Sequence, residues 1–263
     1  MKNHYMNYFI LVFVGSIPFY ALNFLHTSPV FLNLPLSFLM IVVPCLVAGY
    51  MIFKDDGKQG LTTWLLSSLD IRKVKHAVYL LLAFLIIPLI FTVAAYLHDP
   101  SFRFFQIFEK PLLPSLLTFL AFYLGAILEE LGWTSYLTPL IQKRLGIFRT
   151  GLMIGLFWGA WHILPYISQG KGFIDVIALV NCAIAYRVIM GYIYDYSGKA
   201  AITGVIFHTM INFYPEILPH GYDSFSFVTV AILTWIIAGV FVVTEGSKWI
   251  NYKGTSKNFS KNL

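Results

Sequence analysis

Apolar residues run through this chain in eight stretches that are long enough to cross a lipid bilayer as helices. A membrane-spanning helix needs about 20 predominantly apolar residues. The stretches cover approximately residues 5–25, 30–53, 76–98, 114–141, 150–168, 174–195, 200–216 and 226–244. Only 11% of the residues are charged, whereas soluble domains carry about 25%. The sequence therefore predicts an all-α, polytopic membrane protein that forms a single domain over residues 1–263.

Composition also excludes several classes of protein. The two cysteines, Cys45 and Cys182, lie in separate apolar stretches and have no C-x-x-C partner, which argues against a disulfide framework or a cysteine-rich metal site. The net charge of +6 is spread over loops and the C-terminal tail, so we expect no nucleic-acid partner. The long first apolar stretch lacks a small-residue cleavage site, so we expect no cleavable signal peptide.

Lysine and arginine residues indicate how the spans are oriented, because short cytoplasmic loops carry an excess of them. With the N-terminus inside, fourteen fall on the inner side and three on the outer side. We therefore predict a multi-pass protein of the cell membrane with both termini cytoplasmic. Residues 62–75 are expected to form an amphipathic helix on the inner surface, with the apolar side chains towards lipid: Trp64, Leu65, Leu66 and Leu69.

Two adjacent carboxylates, Glu129 and Glu130, interrupt the fourth stretch. A charged side chain at the bilayer centre costs at least about 2.5–3.5 kcal/mol on insertion scales, so such residues usually face protein or water and serve a function. Neighbouring positions on a helix point about 100° apart. We therefore expect the two carboxylates to differ in role, one facing a cavity while the other bonds to a neighbouring helix.

Polar residues in two other spans fall at a similar depth. With about 1.5 Å of rise per residue, Glu129, Glu130, His162 and Asn212 lie about 18–20 Å from the inner ends of their helices, and His208 about 12 Å. Residues four apart share a helix face, which pairs His208 with Asn212, and Trp158 with His162. Two structural alternatives remain open: hydrogen bonds between helices, and pairing of one glutamate with Arg187 in the sixth span.

Three ordered motifs carry a resemblance to a known family. They are Glu129-Glu130-Leu131-Gly132-Trp133, the aromatic-x-x-x-His of 158–162, and the His-x-x-x-Asn of 208–212. This set, within a core of about residues 115–216, resembles the CPBP intramembrane proteases, also called the Abi or CAAX-protease family. That family includes type II CAAX prenyl endopeptidases and lysostaphin-resistance-protein-A-like proteins. Its first motif is usually Glu-Glu-x-x-x-Arg, and here Thr134 occupies the arginine position. We expect an arginine introduced there to be tolerated.

The resemblance implies membrane helices around a cavity that opens to the cytosolic side, and hydrolysis of peptide bonds in peptide or membrane-protein substrates. By the same resemblance, Glu129 would be the base that activates water and His162 would help to position that water. His208 and Asn212 would stabilise the oxyanion, and Glu130 would be a supporting carboxylate. The expected mechanism uses no cofactor, and membrane lipid surrounds the protein.

Alternatives to this mechanism remain. Two histidines and a glutamate can hold catalytic zinc, so Glu129, His162 and His208 are an alternative Zn²⁺ ligand set, although the chain has no H-E-x-x-H motif. Ser135 lies near the glutamates but has no evident base. The chain could also be a non-catalytic interaction or bacteriocin-immunity-type protein of the same fold, which the threonine at position 134 favours. A transporter with a proton or cation relay is a third class. The sequence leaves the oligomeric state open.

Overall fold

A computed structural model describes residues 4–23, 30–31 and 34–245 and shows an all-α membrane protein. Eight α-helices occur in this described part of the chain: α1 His4–Asn23, α2 Val42–Ser68, α3 Val78–His98, α4 Leu112–Glu130, α5 Thr138–Ser168, α6 Phe173–Tyr196, α7 Ile202–Ile217 and α8 Phe227–Glu245. Short 3-10 helices and one two-residue antiparallel strand pair lie between them: Leu36–Ile41, Ile71–Lys73, Phe104–Glu109, Gly221–Ser224, and Val30–Phe31 with Leu34–Pro35.

The helical segments correspond to the eight predicted spans. Among the described residues, six helical stretches are long and apolar enough to cross a membrane, and one of them, 112–168, holds two predicted spans. The chain reverses within this stretch at Gly146, whose φ of 76° lies in the left-handed region that favours glycine. At 16 residues, α7 is the short span that the sequence also indicates.

Glycines allow α5 and α6 to pack closely as antiparallel neighbours. A Cβ atom on Gly155 would lie 2.5 Å from the Cα of Ile184, and one on Gly151 would lie 2.7 Å from the Cα of Val188. These distances are too short for any side chain, so the two backbones touch at glycine, as in other small-residue helix contacts in membranes. This contact fixes the height of Arg187 on α6 relative to the residues of α5.

The predicted inner-surface helix over residues 62–75 is only partly correct. The helix ends at Ser68, and residues 71–73 form a single 3-10 turn, in which Asp70 caps the backbone and binds Arg72. These bonds lower the pKa of the Asp70 carboxyl below its usual value. Trp64 also differs from the prediction, because its indole N–H donates to the Ser135 hydroxyl at 3.0 Å instead of facing lipid.

Candidate active site

Glu130 is fully buried and forms an ion pair with Arg187 of α6. The guanidinium donates two hydrogen bonds, from Nη1 to Oε2 at 2.6 Å and from Nη2 to Oε1 at 2.8 Å. The exposed fractions of the two side chains are 0% for Glu130 and 3% for Arg187. The pairing with Arg187 that the sequence left open for one of the two glutamates therefore belongs to Glu130. Such a bidentate pair fixes the carboxylate both in charge and in orientation.

Thr134 also lies against this ion pair. Its hydroxyl donates to Oε2 of Glu130 and accepts a longer bond of 3.3 Å from Nη1 of Arg187. The cation that the family motif would place at position 134 is thus supplied from another helix. Thr134 is buried, and a Cβ on Gly204 would lie only 3.0 Å from its hydroxyl oxygen. Thr134 is thus buried beside Gly204 and the ion pair, and the tolerance of an arginine at this position stays a prediction.

Glu129 has different surroundings from its neighbour. Oε2 of Glu129 accepts a hydrogen bond of 2.9 Å from the indole N–H of Trp158 on α5, and the carboxylate forms part of a cavity wall. The guanidinium of Arg187 lies over the ring of the same Trp158, 4.2 Å from the ring centre. Trp158 therefore links the cavity-facing carboxylate to the buried ion pair. The expected division between the two glutamates matches these contacts.

His208 of α7 bonds directly to the buried carboxylate. Nδ1 of His208 lies 2.8 Å from Oε1 of Glu130. A carboxylate paired with arginine is an acceptor, so Nδ1 must carry the proton of this bond. Nε2 is then an acceptor when the ring is neutral and a donor only when the ring is protonated. The arrangement is chemically similar to a carboxylate that orients a catalytic histidine.

His162 is oriented by its own helix. Its Nδ1 lies 2.8 Å from the carbonyl oxygen of Trp158, one turn earlier, and a carbonyl can only accept a hydrogen bond. The ring packs edge-on against Trp158 and Trp161, with centroid distances of 5.1 and 4.7 Å. Because Nδ1 carries the proton, Nε2 of the neutral ring has a lone pair that can accept a hydrogen bond from water.

One cavity of about 380 Å³ brings together four of the five predicted site residues. They are Glu129, His162, His208 and Asn212. The fifth, Glu130, lies behind this wall, where it holds His208. The rest of the wall is largely apolar, with aromatic and aliphatic side chains from α3, α4, α6 and α7. The polar groups are therefore set in a mainly apolar wall, and the catalytic roles of the five residues remain predictions.

The geometry gives little support to a zinc mechanism or to Ser135 as a nucleophile. Within the described ranges of the chain, no three His, Cys, Asp or Glu side chains are grouped so that they could hold a metal ion. The proposed zinc set of Glu129, His162 and His208 is therefore not assembled as a ligand cluster. Ser135 bonds to Trp64 and to Ser68, whose hydroxyl lies 2.6 Å away, so its partners belong to α2 and not to the cavity.

Two features of the site were not among the predictions from the sequence. The first is a π-helical segment, Leu131–Leu137, which directly follows the glutamate pair. In it, the backbone N–H of Thr138 bonds to the carbonyl of Trp133, five residues earlier. Segments of this type are frequent at functional sites, but no residue pattern in the chain predicts one. The second is the donor role of Trp158. Its indole, within an apolar span opposite two carboxylates, is the signal that could have revealed it.

Fold and site together define a multi-pass membrane protein with a buried carboxylate–histidine site, and comparison with known proteins confirms the predicted resemblance. Residues 111–214 match a family model described as type II CAAX prenyl endopeptidase Rce1-like. The matched region contains all three motifs and ends just beyond Asn212.

Two curated proteins are also similar to the chain. CAAX prenyl protease 2 of Methanococcus maripaludis is 28% identical over 130 residues, which are 45% of this chain and 46% of the relative. Lysostaphin resistance protein A of Staphylococcus haemolyticus is 23% identical over 224 residues, 83% of this chain and 58% of the relative. The chain thus spans about half the length of the curated relatives that it matches.

Proposed function

We propose that this protein is an intramembrane endopeptidase that hydrolyses peptide bonds of peptide or membrane-protein substrates. The observation that carries the proposal is the shared cavity. Its wall includes the Glu129 carboxylate, the imidazoles of His162 and His208 and the Asn212 amide. A buried ion pair behind the wall orients the imidazole of His208. The similarity of residues 111–214 to CAAX prenyl endopeptidases supports the same reaction class.

Glu129 and His162 are suited to activating water. The Trp158 indole occupies one carboxylate oxygen of Glu129, so the other is free to take a proton from a water molecule in the cavity. Nε2 of His162 can accept the second hydrogen bond of that water and so aim its lone pair at a carbonyl carbon. General-base catalysis of this kind contributes about 10²–10⁴-fold.

His208 and Asn212 are suited to stabilising the tetrahedral intermediate. The Asn212 amide donates to the oxyanion, and Nε2 of His208 does so when the ring is protonated, while Nδ1 is held by the Glu130 carboxylate. The proton that Glu129 takes from water is then transferred to the leaving amine as the C–N bond breaks. Glu130 thus acts through His208 rather than on the substrate.

Comparison of membrane proteomes tests this function. Cells producing the wild-type protein and the Glu129→Gln variant should differ by at least one cleaved peptide that the variant fails to release. Glu109→Gln is the matched control, because the same substitution is made on an exposed carboxylate that does not line the cavity. If the wild-type and Glu129→Gln proteomes and phenotypes are identical, the protein acts by binding, as an immunity-type or other interaction protein would.

Metal dependence requires a separate experiment. We expect purified wild-type protein to keep its activity in strong chelator and to carry no stoichiometric zinc by mass spectrometry. Loss of activity in chelator that Zn²⁺ restores would change the role of Glu129 from base to ligand. The same preparation in vesicles distinguishes a transporter, because solute flux without peptide cleavage would identify that class.

A further inference from the structure

Among the described residues, those that line the cavity extend from the middle of the protein to one of its two ends. Glu129 and His208, which are 4% and 2% exposed, lie at its inner part. Exposed residues of two loops lie at its outer part, Gln169 after α5 and Tyr222 after α7. Since α5 and α7 both finish at this end, the mouth of the cavity adjoins the α5–α6 loop and the α7–α8 loop.

The opposite end of the protein is held together by contacts between its own loops. The backbone N–H of Lys75 bonds to the carbonyl of Ser197 at 2.9 Å, which joins the α2–α3 connection to the α6–α7 turn. The Gln142 amide donates to the Asp195 carboxylate at 3.1 Å, which adds the turn before Gly146. These connections therefore lie on one membrane face, and the cavity mouth lies on the other.

Basic residues are concentrated on the face away from the cavity. In the described part of the chain, nine lysines and arginines belong to the connections at the closed end and three to those at the cavity end. The nine are Lys54, Lys58, Arg72, Lys73, Lys75, Lys143, Arg144, Arg149 and Lys199. The three are Arg103, Lys110 and Lys171. An excess of this kind in short loops marks the cytoplasmic face.

We propose that the cavity opens on the extracytoplasmic face of the membrane. This contradicts the cytosolic opening that the family resemblance implies, because the predicted orientation and a cytosolic cavity cannot both hold for this fold. The fold determines at which end of the protein the mouth lies, and the basic residues assign that end to a membrane face. Its consequence for substrates rests on the proposed function: the protease acts on peptide segments at the outer leaflet, either translocated or approaching from outside.

The cavity lining fits such a segment. Apolar side chains of the cavity wall, including Phe122, Leu179 and Ile211, can receive apolar residues of a substrate. Near the mouth, the Lys171 ammonium lies 5.1 Å from the centre of the Tyr222 ring, so a cation is held where polar residues of the same segment would leave the bilayer. The site thus suits an amphipathic peptide that partly enters the outer leaflet.

Two exposed glutamines provide a matched pair of labelling sites, since replacing either one with cysteine leaves the number of lysines and arginines unchanged. Gln169→Cys lies at the cavity mouth and Gln59→Cys at the basic end, each in a Cys45→Ser/Cys182→Ala background. Intact cells are treated with a membrane-impermeant maleimide, and a second sample is treated after permeabilisation. We expect Gln169→Cys to react in intact cells and Gln59→Cys only after permeabilisation. The reverse pattern, or external labelling of both, would overturn the proposal.

A cleavage assay on the labelled cells separates this proposal from the proposed function. A bulky maleimide on Gln169→Cys should block release of the peptide found by proteomics, whereas one on Gln59→Cys should not. If labelling follows the expected pattern but no peptide depends on the protein, the orientation stands and the protease assignment fails. If cleavage depends on Glu129 but Gln169→Cys reacts only from inside, the protease assignment stands and the extracytoplasmic opening fails.

Discussion

Glu129 and Glu130 are neighbours in sequence and both are buried, yet they have opposite environments. Glu130 accepts bonds from Arg187, Thr134 and His208 and is fully enclosed. Glu129 accepts one described bond, from Trp158, and faces a cavity. A rotation of about 100° between adjacent helix positions is enough to separate them. The carboxylate of Glu129 is therefore available for chemistry, while that of Glu130 maintains the geometry around it.

The largest expected effect is on catalysis at Glu129. Glu129→Gln keeps the size and the hydrogen bond from Trp158 but cannot take a proton from water. Cleavage should fall by about 10²–10⁴-fold or below detection, while the thermal midpoint in detergent stays near that of wild type. If Glu129→Gln instead unfolds the protein and leaves the folded fraction active, the proposed difference in role between Glu129 and Glu130 is wrong.

The second prediction concerns stability at the buried ion pair. Glu130→Gln leaves Arg187 buried without its counter-charge, and Arg187→Met leaves Glu130 in the same state. Removing one partner of a buried pair costs about 3–5 kcal/mol. Each variant should therefore show a clearly lowered thermal midpoint and reduced yield of monodisperse protein in detergent.

The double variant Glu130→Gln/Arg187→Met provides the control. It removes both charges, so its loss of stability should be smaller than the sum of the two single losses. Additive losses would mean that the two side chains do not stabilise each other. The distinction between a structural and a chemical carboxylate would then lose its main support.

Thr134→Arg tests the surroundings of Glu130 by adding a second cation beside its carboxylate. The threonine site is closed by Gly204 and already adjoins the Arg187 guanidinium, so overpacking should cost about 1–3 kcal/mol. Adding Arg187→Met removes the competing cation and some volume. The double variant should therefore melt at a higher temperature than Arg187→Met alone, because its new arginine can pair with Glu130. A double variant that melts below both single variants would contradict this.

Much of this molecule follows from its sequence. Apolar run length locates every span, and residue depth places Glu129, His162 and Asn212 in one layer, where they line one cavity. Periodicity cannot identify the bonded partner, so the choice between Glu129 and Glu130 for Arg187 depends on how α6 packs against α5. The direction of the cavity also depends on packing, since mid-membrane residues are nearly equidistant from both faces. The π-helical segment after Glu130 has no residue signature at all.

The smallest expected effect is at the Thr134 hydroxyl. Thr134→Val is nearly the same in shape but removes the hydrogen bond to Glu130, and the carboxylate keeps its donors from Arg187 and His208. A single hydrogen bond contributes about 0.5–1.5 kcal/mol, so stability should fall by that amount. Since His208 stays bonded, cleavage should fall less than about tenfold, equivalent to 1.4 kcal/mol.

Thr138→Val is the matched control, because the Thr138 hydroxyl is also buried and bonds at 2.9 Å to the backbone carbonyl of Trp133, away from the carboxylates. It should lower stability by a similar amount without changing the rate of cleavage. Thr134→Val, in contrast, should lower that rate slightly, because Glu130 orients His208. If Thr134→Val abolishes cleavage and Thr138→Val does not, Glu130 takes part in the chemistry itself. The two glutamates would then share one function, since a purely supporting carboxylate with three other donor contacts tolerates the loss of one hydroxyl.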